Sequence, residues 1–444
     1  MTTHTLTTTQ NHRKLFTLSF FVALSTGRGL PLLINGPPGA TKTHEVEAFA
    51  AEMGVTFVHV SPSQRGEGYF GAAPCRGEHK MQQVLDFPPP REIVDLDEEG
   101  AGLILVDELR TSPRSVRPAL LGIVNERRFG QKKLGPGIRI FAATNSAQES
   151  SGAAAPLDPA TANRFCHMHI EDPTVEEAAT YFASSVGPRT YAPVPKADMS
   201  ARNAERLRVE DELNKLRPTF APIAAAMIAA FLRSTSGTWT TCKTYAHKSD
   251  LRAQPDVSDP ASDGPWGSPR TWSMAFELLT TQLSLADMCK NGQKVFGHTF
   301  LADLSADLEF QTAFDGLVGP MAQTFCAAVS GYNIIQPEEW LDGKTKLTDK
   351  DGSDRVYATF SAGAAWLIGQ AAGASKMSQK DAQLLSKRAE TFFALSNTFS
   401  RDLTYGAMSR VIECKDARVL TSGKIATQVL SDFVAIQQAM GMGN

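Results

Sequence analysis

Residues 32–43 of this 444-residue chain read Leu32-Leu33-Ile34-Asn35-Gly36-Pro37-Pro38-Gly39-Ala40-Thr41-Lys42-Thr43, and a helical pattern follows. An apolar strand, a Gly/Pro-rich loop ending in Lys-Thr and a helix together make a cradle for phosphate. The strand supplies rigidity, the loop N–H groups converge on phosphate oxygens, and the positive end of the helix faces them. In this reading Gly36, Pro37, Pro38, Gly39, Ala40 and Thr41 form the cradle, Lys42 neutralises phosphate charge and Thr43 holds Mg2+. Thr41 stands where such loops usually carry glycine. A β-branched residue is stiffer and bulkier, so altered loop geometry or affinity is expected. A second constellation, Leu103-Ile104-Leu105-Val106-Asp107-Glu108, is an apolar strand ending in two carboxylates. Side chains alternate along a strand, so the acids can serve different tasks at the sheet edge where ligands bind. Asp107 would support the Mg2+ shell, and Glu108 would polarise an attacking water as general base.

The elements that must hold these residues are legible as alternating short apolar runs and helical patterns, the signature of a parallel sheet with crossover helices. Strands are predicted at Leu32–Asn35, Thr56–Val60, Leu103–Val106, Ile138–Ala142 and Phe165–Ile170, with helices near Thr43–Glu52, Ser115–Arg127 and Asp158–Asn163. Residues 1–14 are polar and Thr-rich and read as a flexible tail; 15–172 form the α/β core. Beyond it, Ala201–Leu216, Thr219–Leu232, Arg270–Cys289 and Phe310–Val329 show helical spacing. They place an all-α lid at 173–332, with an insertion loop at about 234–267. A Pro/Gly/Asp-rich linker at 333–353 and a C-terminal all-α domain at 354–444 complete the chain.

The two constellations resemble the Walker A and Walker B motifs of AAA+ ATPases. Phe141-Ala142-Ala143-Thr144-Asn145 is similar to sensor 1, Leu157-Asp158-Pro159-Ala160-Thr161-Ala162-Asn163-Arg164-Phe165 to the arginine-finger segment, and Gly267-Ser268-Pro269-Arg270 to sensor 2 of the MoxR-like branch. The resemblance covers about residues 30–290 and implies an α/β P-loop AAA+ core with a helical lid. It implies ATP as the nucleotide with Mg2+, hydrolysis to ADP and phosphate, and a homo-oligomeric ring, commonly a hexamer. A client or adaptor protein to be remodelled or activated is implied too, in this branch often one with a von Willebrand A domain. Asn145 would then position the hydrolytic water, for which a neutral donor and acceptor suits. Arg164 would stabilise phosphoryl charge at a neighbouring subunit, and Arg270 would sense the γ-phosphate of its own subunit. Arg127 and Arg128 are rival finger candidates. In the MoxR-like branch the stretch between Pro62 and Gly102 carries an inserted loop facing the central channel. Tyr69 and Phe70 could grip a client there, although anchoring against the core is the reading favoured for aromatic residues.

Composition narrows the alternatives. With 42% hydrophobic and 20% charged residues the chain can bury sizeable cores, and its net charge of -3 supplies no field to gather nucleic acid or anionic lipid. The six cysteines form no C-x-x-C pair, and no uninterrupted apolar run reaches the ~18 residues of a membrane span, so a cytoplasmic setting without membrane attachment is expected. Cys166-His167-Met168-His169 imitates a metal tract, but packing is the favoured reading. Two other functions remain open: an AAA+ motor acting on nucleic acid, disfavoured by the acidic balance, and a nucleotide-gated scaffold with little turnover, for which Thr41 speaks.

Overall fold

The computed structural model describes residues 9–70, 74–79, 82–113, 115–145, 157–171, 175, 196–235, 264–319, 321–330, 335–348, 350–372, 377–414 and 417–421. In chain order the elements up to the sheet's last strand are α1 (Thr9–Phe21), β1 (Ala23–Leu24), β2 (Gly27–Arg28), β3 (Leu32–Asn35), α2 (Lys42–Glu52), β4 (Thr56–Val60), β5 (Cys75–His79) and β6 (Gln82–Asp86). There follow α3 (Arg91–Glu98), β7 (Gly102–Val106), α4 (Arg117–Glu126), β8 (Arg128–Phe129), β9 (Lys132–Lys133), β10 (Ile138–Thr144), α5 (Pro159–Ala162) and β11 (Cys166–His169). Next come α6 (Lys196–Thr235), α7 (Pro269–Met288) and α8 (Leu308–Val318), then shorter and longer helices to Leu420.

Five strands form one parallel sheet in the order β11-β3-β10-β7-β4. Every residue of β7 and β10 is buried, as are the first three of β3. That explains their unbroken apolar runs: a parallel strand covered on both faces needs no alternation. The fold class expected for the core, a parallel sheet with flanking helices followed by helical segments, is what the structure has. The predicted strands fall on the five sheet strands to within about two residues at their ends.

One face packs Phe16 of α1, Phe49 of α2 and Phe141 of β10 around each other, with ring centroids 5.5 Å and 5.8 Å from Phe16. The core around Leu33, Ile104, Val106 and Ile140 gathers Phe70, Ile123 and Phe129. α8 crosses β11 so closely that a Cβ on Gly316 would lie 2.0 Å from the carbonyl oxygen of His167, so only glycine fits there.

A buried ionic knot fastens the first half of α6 to the sheet. Arg139 of β10, with no exposed surface, meets Glu210, which also takes Arg206 at 2.7 Å and Arg28 at 3.6 Å. Burial pushes the Arg139 guanidinium down to about 10, opposed by Glu210. Burial raises the Glu210 carboxyl, but the three guanidiniums outweigh it and hold the group below the usual range. One carboxylate is shared among three cations, so each cation receives only part of its charge.

Several elements depart from the sequence reading. α1 begins inside the stretch expected to be a flexible tail: Arg13 pairs with Glu45 at 3.1 Å and Lys14 with Asp307 at 2.9 Å. Residues 1–8 lie outside the described residues. The antiparallel hairpin β5–β6, the eight-residue helix α3 and the two-residue strand pairs β1–β2 and β8–β9 are not among the elements expected from sequence. The two helical stretches expected at 201–232 are one helix, α6, with Pro218 and Pro222 inside it. The insertion loop expected at 234–267 lies outside the described residues except at its two ends.

By contacts the chain divides into two compact units, Met1–Leu213 with Trp239–Cys326, and Asn214–Thr238 with Ala327–Asn444. The second unit's core collects Trp340, Phe360, Phe392 and Val411. One described helix segment, Asp198–Leu232, is long and apolar enough to cross a membrane, with a best window of hydropathy 1.3 that is 44% buried. The sequence reading missed it because Arg217 and Pro218 interrupt the uninterrupted run it counted. Ile223, Ala224, Ala226, Ala230 and Phe231 on this helix are buried, and a core helix needs the same apolar composition.

Candidate functional site

The carboxyl ends of β3, β10 and β7 open on one edge of the sheet, and the residues singled out in sequence converge there. β3 runs into residues 36–41, whose path depends on Gly36: a Cβ there would lie 2.6 Å from the Ile170 carbonyl oxygen. The loop closes on Thr41, which sits at φ 54, ψ 21 as the residue before α2. This left-handed region is an outlier for a β-branched side chain. The expectation attached to Thr41 thus takes a definite form: threonine holds the conformation that glycine occupies without strain.

Lys42 opens α2 with its side chain buried against the loop. Its Nζ donates to the carbonyls of Gly36 and Pro37 at 2.9 and 2.8 Å and to Oδ1 of Asn145 at 3.0 Å. Asn145 follows the last residue of β10, and the pairing of Thr144 with Asn35 brings it beside the loop. Next in the helix, Thr43 Oγ1 donates to Asp107 Oδ2 at 2.7 Å. A hydroxyl and a carboxylate side by side suit the oxygen preference of Mg2+, so the donor set fits the ion expected there.

The two acids part by a backbone device rather than by strand alternation. β7 ends at Val106, and Asp107 still donates its N–H to Val60 at 2.8 Å. Glu108 then turns into the left-handed region at φ 55, ψ 41. Asp107 faces Thr43, whereas the Glu108 carboxylate is held by Ser63 and, at 3.4 Å, by Ser61, both just past β4. Strain of this kind, of order 1–3 kcal/mol, persists only where surrounding structure enforces it. Here the Glu108 N–H donates to Asp107 Oδ1 at 2.8 Å.

Sequence reasoning missed three side chains of this edge. His59 lies with Nε2 3.1 Å from Asp107 Oδ2, and Ser61 and Ser63 hold Glu108. The signal was available only as polar residues at the end of the strand that turns out to neighbour β7, a pairing no local pattern discloses.

The arginines fall in a different place. Arg164 ends the short segment after α5, which Asp158 caps by accepting from the Thr161 N–H at 2.9 Å. Its guanidinium binds the Ala160 carbonyl, and among the described residues its buried Nε has no hydrogen-bond partner. Burial, then the charge of Arg270, holds the Arg164 pKa down. Arg270 is exposed in the first turn of α7, capped by Ser268, whose Oγ donates to Asn163 Oδ1 at 2.7 Å. That bond and Asn163 Nδ2 to the Trp266 carbonyl at 3.0 Å tie the two segments together.

Arg127 is only 4% exposed and donates to the carbonyls of Gly135 and Ile138, so it braces the β8–β9 hairpin. Arg128 is exposed, and its guanidinium donates to the Gln131 carbonyl at 3.2 Å. Tyr69 and Phe70 are core anchors, as favoured: both pack on Phe129, and Tyr69 donates to Glu92 at 2.8 Å. The exposed part of that region is the β5–β6 hairpin, with Leu85 64% exposed. The first three residues of the Cys166–His169 tract pack as well, with Cys166 fully buried and bonded to the Ala313 carbonyl and His167 to that of Ala162, whereas His169 is exposed.

No protein-family model and no curated protein matches the chain. Among solved structures it is similar to one of a "putative ATPase" from Cytophaga hutchinsonii, at 18% identity over 70% of this chain and 86% of that one, with a TM-score of 0.40.

Proposed function

We propose that the chain is an ATPase of the MoxR-like AAA+ type, which binds ATP with Mg2+ at the β3/β10/β7 edge and couples its hydrolysis to remodelling or activating a partner protein. One observation carries this reading: the adjacent residues Lys42 and Thr43 bond Asn145 and Asp107 respectively, so that side chains drawn from three separate strand ends meet in two neighbouring hydrogen-bonded pairs. A phosphate loop alone binds; a phosphate loop joined to two acids and a neutral amide has the parts for water attack on a terminal phosphate.

The division of labour follows from the geometry. The loop amides and Lys42 bind and orient the phosphates. Thr43 and Asp107 would hold Mg2+, which when bound offsets phosphate charge. Glu108 takes a proton from the attacking water once released from Ser61 and Ser63, and Asn145 orients that water. Arg164 would stabilise phosphoryl charge at a neighbouring subunit, and Arg270 would sense the γ-phosphate of its own subunit, the separate duties expected from sequence. A ring, hexameric by resemblance, would bring Arg164 to an adjoining subunit's phosphates. A client or adaptor, with a von Willebrand A domain in the resembling branch, would be the object of the work.

Steady-state ATP hydrolysis by the wild type beside Glu108→Gln tests the core of this reading, with native mass spectrometry of the nucleotide-loaded particle for ring order. Turnover in the wild type that falls at least about a hundredfold in Glu108→Gln is expected. Equal, negligible rates would replace it with the second reading, a nucleotide-gated scaffold, which the strained Thr41 favours.

A further inference from the structure

A phosphate loop with its threonine and aspartate needs no imidazole, yet one stands at the same oxygen. β4 pairs in parallel with β7, His59 opposite Leu105, and the ladder continues into the Asp107 N–H. Asp107 Oδ2 thereby receives two neighbours, the Thr43 hydroxyl at 2.7 Å and His59 Nε2 at 3.1 Å. The His59 side chain is 40% exposed, and so is open to a ligand on this edge. Among the described residues no group of three or more His, Cys, Asp or Glu exists to hold a metal by itself. A metal at this corner would complete its coordination shell with water and with ligand oxygens.

We propose that His59 is the specificity-determining side chain of this metal corner, and that it fits the site for divalent cations that accept nitrogen, Mn2+ and Co2+, alongside Mg2+. The inference rests on the nucleotide-binding reading above. Mg2+ prefers oxygen donors and keeps its waters. An imidazole beside a carboxylate and a hydroxyl raises affinity along the series from Mn2+ to Co2+, which bind nitrogen more readily. In the neutral imidazole one nitrogen carries the proton and the other the lone pair: Nε2 donates to Asp107 in one tautomer, and with the proton moved to Nδ1 its lone pair can serve a metal instead.

The test uses the full-length protein with a non-hydrolysable ATP analogue. Mn2+ binding is followed by electron paramagnetic resonance, and Mg2+ binding by competition, in the wild type, His59→Gln and His59→Ala. His59→Gln keeps a hydrogen-bond donor for Asp107 without an imidazole. The ratio of Mn2+ to Mg2+ affinity is expected to fall about tenfold in both variants, and histidine nitrogen coupling to Mn2+, assigned with 15N-histidine-labelled protein, to vanish. A ratio that is unchanged in both variants, or restored by glutamine, overturns the proposal and leaves His59 as a hydrogen-bond partner of Asp107. If the wild type binds no Mn2+ with the analogue, and Thr43→Ala changes nothing, the nucleotide reading fails with it.

Discussion

Lys42 Nζ lies 3.0 Å from Oδ1 of Asn145, although 103 residues separate them. The contact joins the residue that would neutralise phosphate to the one that would orient water, across the seam between β3 and β10. If Asn145 acts on water and Lys42 on phosphate, truncating each has a different signature. Lys42→Ala is expected to abolish binding of a fluorescent ATP analogue. Asn145→Ala should keep binding within about threefold while lowering kcat by about two orders of magnitude. Loss of affinity in Asn145→Ala without loss of kcat would refute its role with water.

Thr41 offers a gain rather than a loss. A left-handed residue with a Cβ costs roughly 1–2 kcal/mol, and glycine removes that while adding some unfolded-state entropy. Thr41→Gly is therefore expected to stabilise the protein by about 0.5–1 kcal/mol in urea unfolding and to tighten nucleotide binding. Thr41→Val, equally branched, should do neither. A destabilised Thr41→Gly would mean that contacts of the threonine outweigh its strain.

Ser61 and Ser63 occupy the carboxylate that would serve as base. Releasing it by Ser61→Ala with Ser63→Ala is expected to raise basal ATP turnover several-fold with nucleotide affinity unchanged. Turnover that falls in parallel with Glu108→Gln would show that the serines aim the base instead of withholding it.

Glu210 is the anion on which three guanidiniums depend. Removing one partner of a buried pair costs about 3–5 kcal/mol, so Glu210→Ala should unfold at markedly lower denaturant. The pH dependence has a definite sign. The carboxyl is held below its unfolded value of about 4.3, so its contribution is fully present above that value. It is lost as pH falls through the lower folded one. Wild-type stability should drop below about pH 4.5 by more than that of Glu210→Gln; parallel curves would rule out this group as the cause.

The sequence by itself determined the sheet strands, the phosphate loop, the paired acids and the departure at Thr41. Each rests on local pattern: fully buried parallel strands are written as apolar runs, and loop chemistry is fixed by neighbouring residues. Tertiary structure alone decided which strands adjoin, and so brought His59 to Asp107 and Ser61 and Ser63 to Glu108. It also turned Glu108 through a left-handed backbone, tied Asn163 to the start of α7, buried Arg127 and drew α1 out of an apparent tail. Those outcomes depend on pairings between residues far apart in the chain, and hydrophobic period carries no information about which distant partner a strand or a charge will meet.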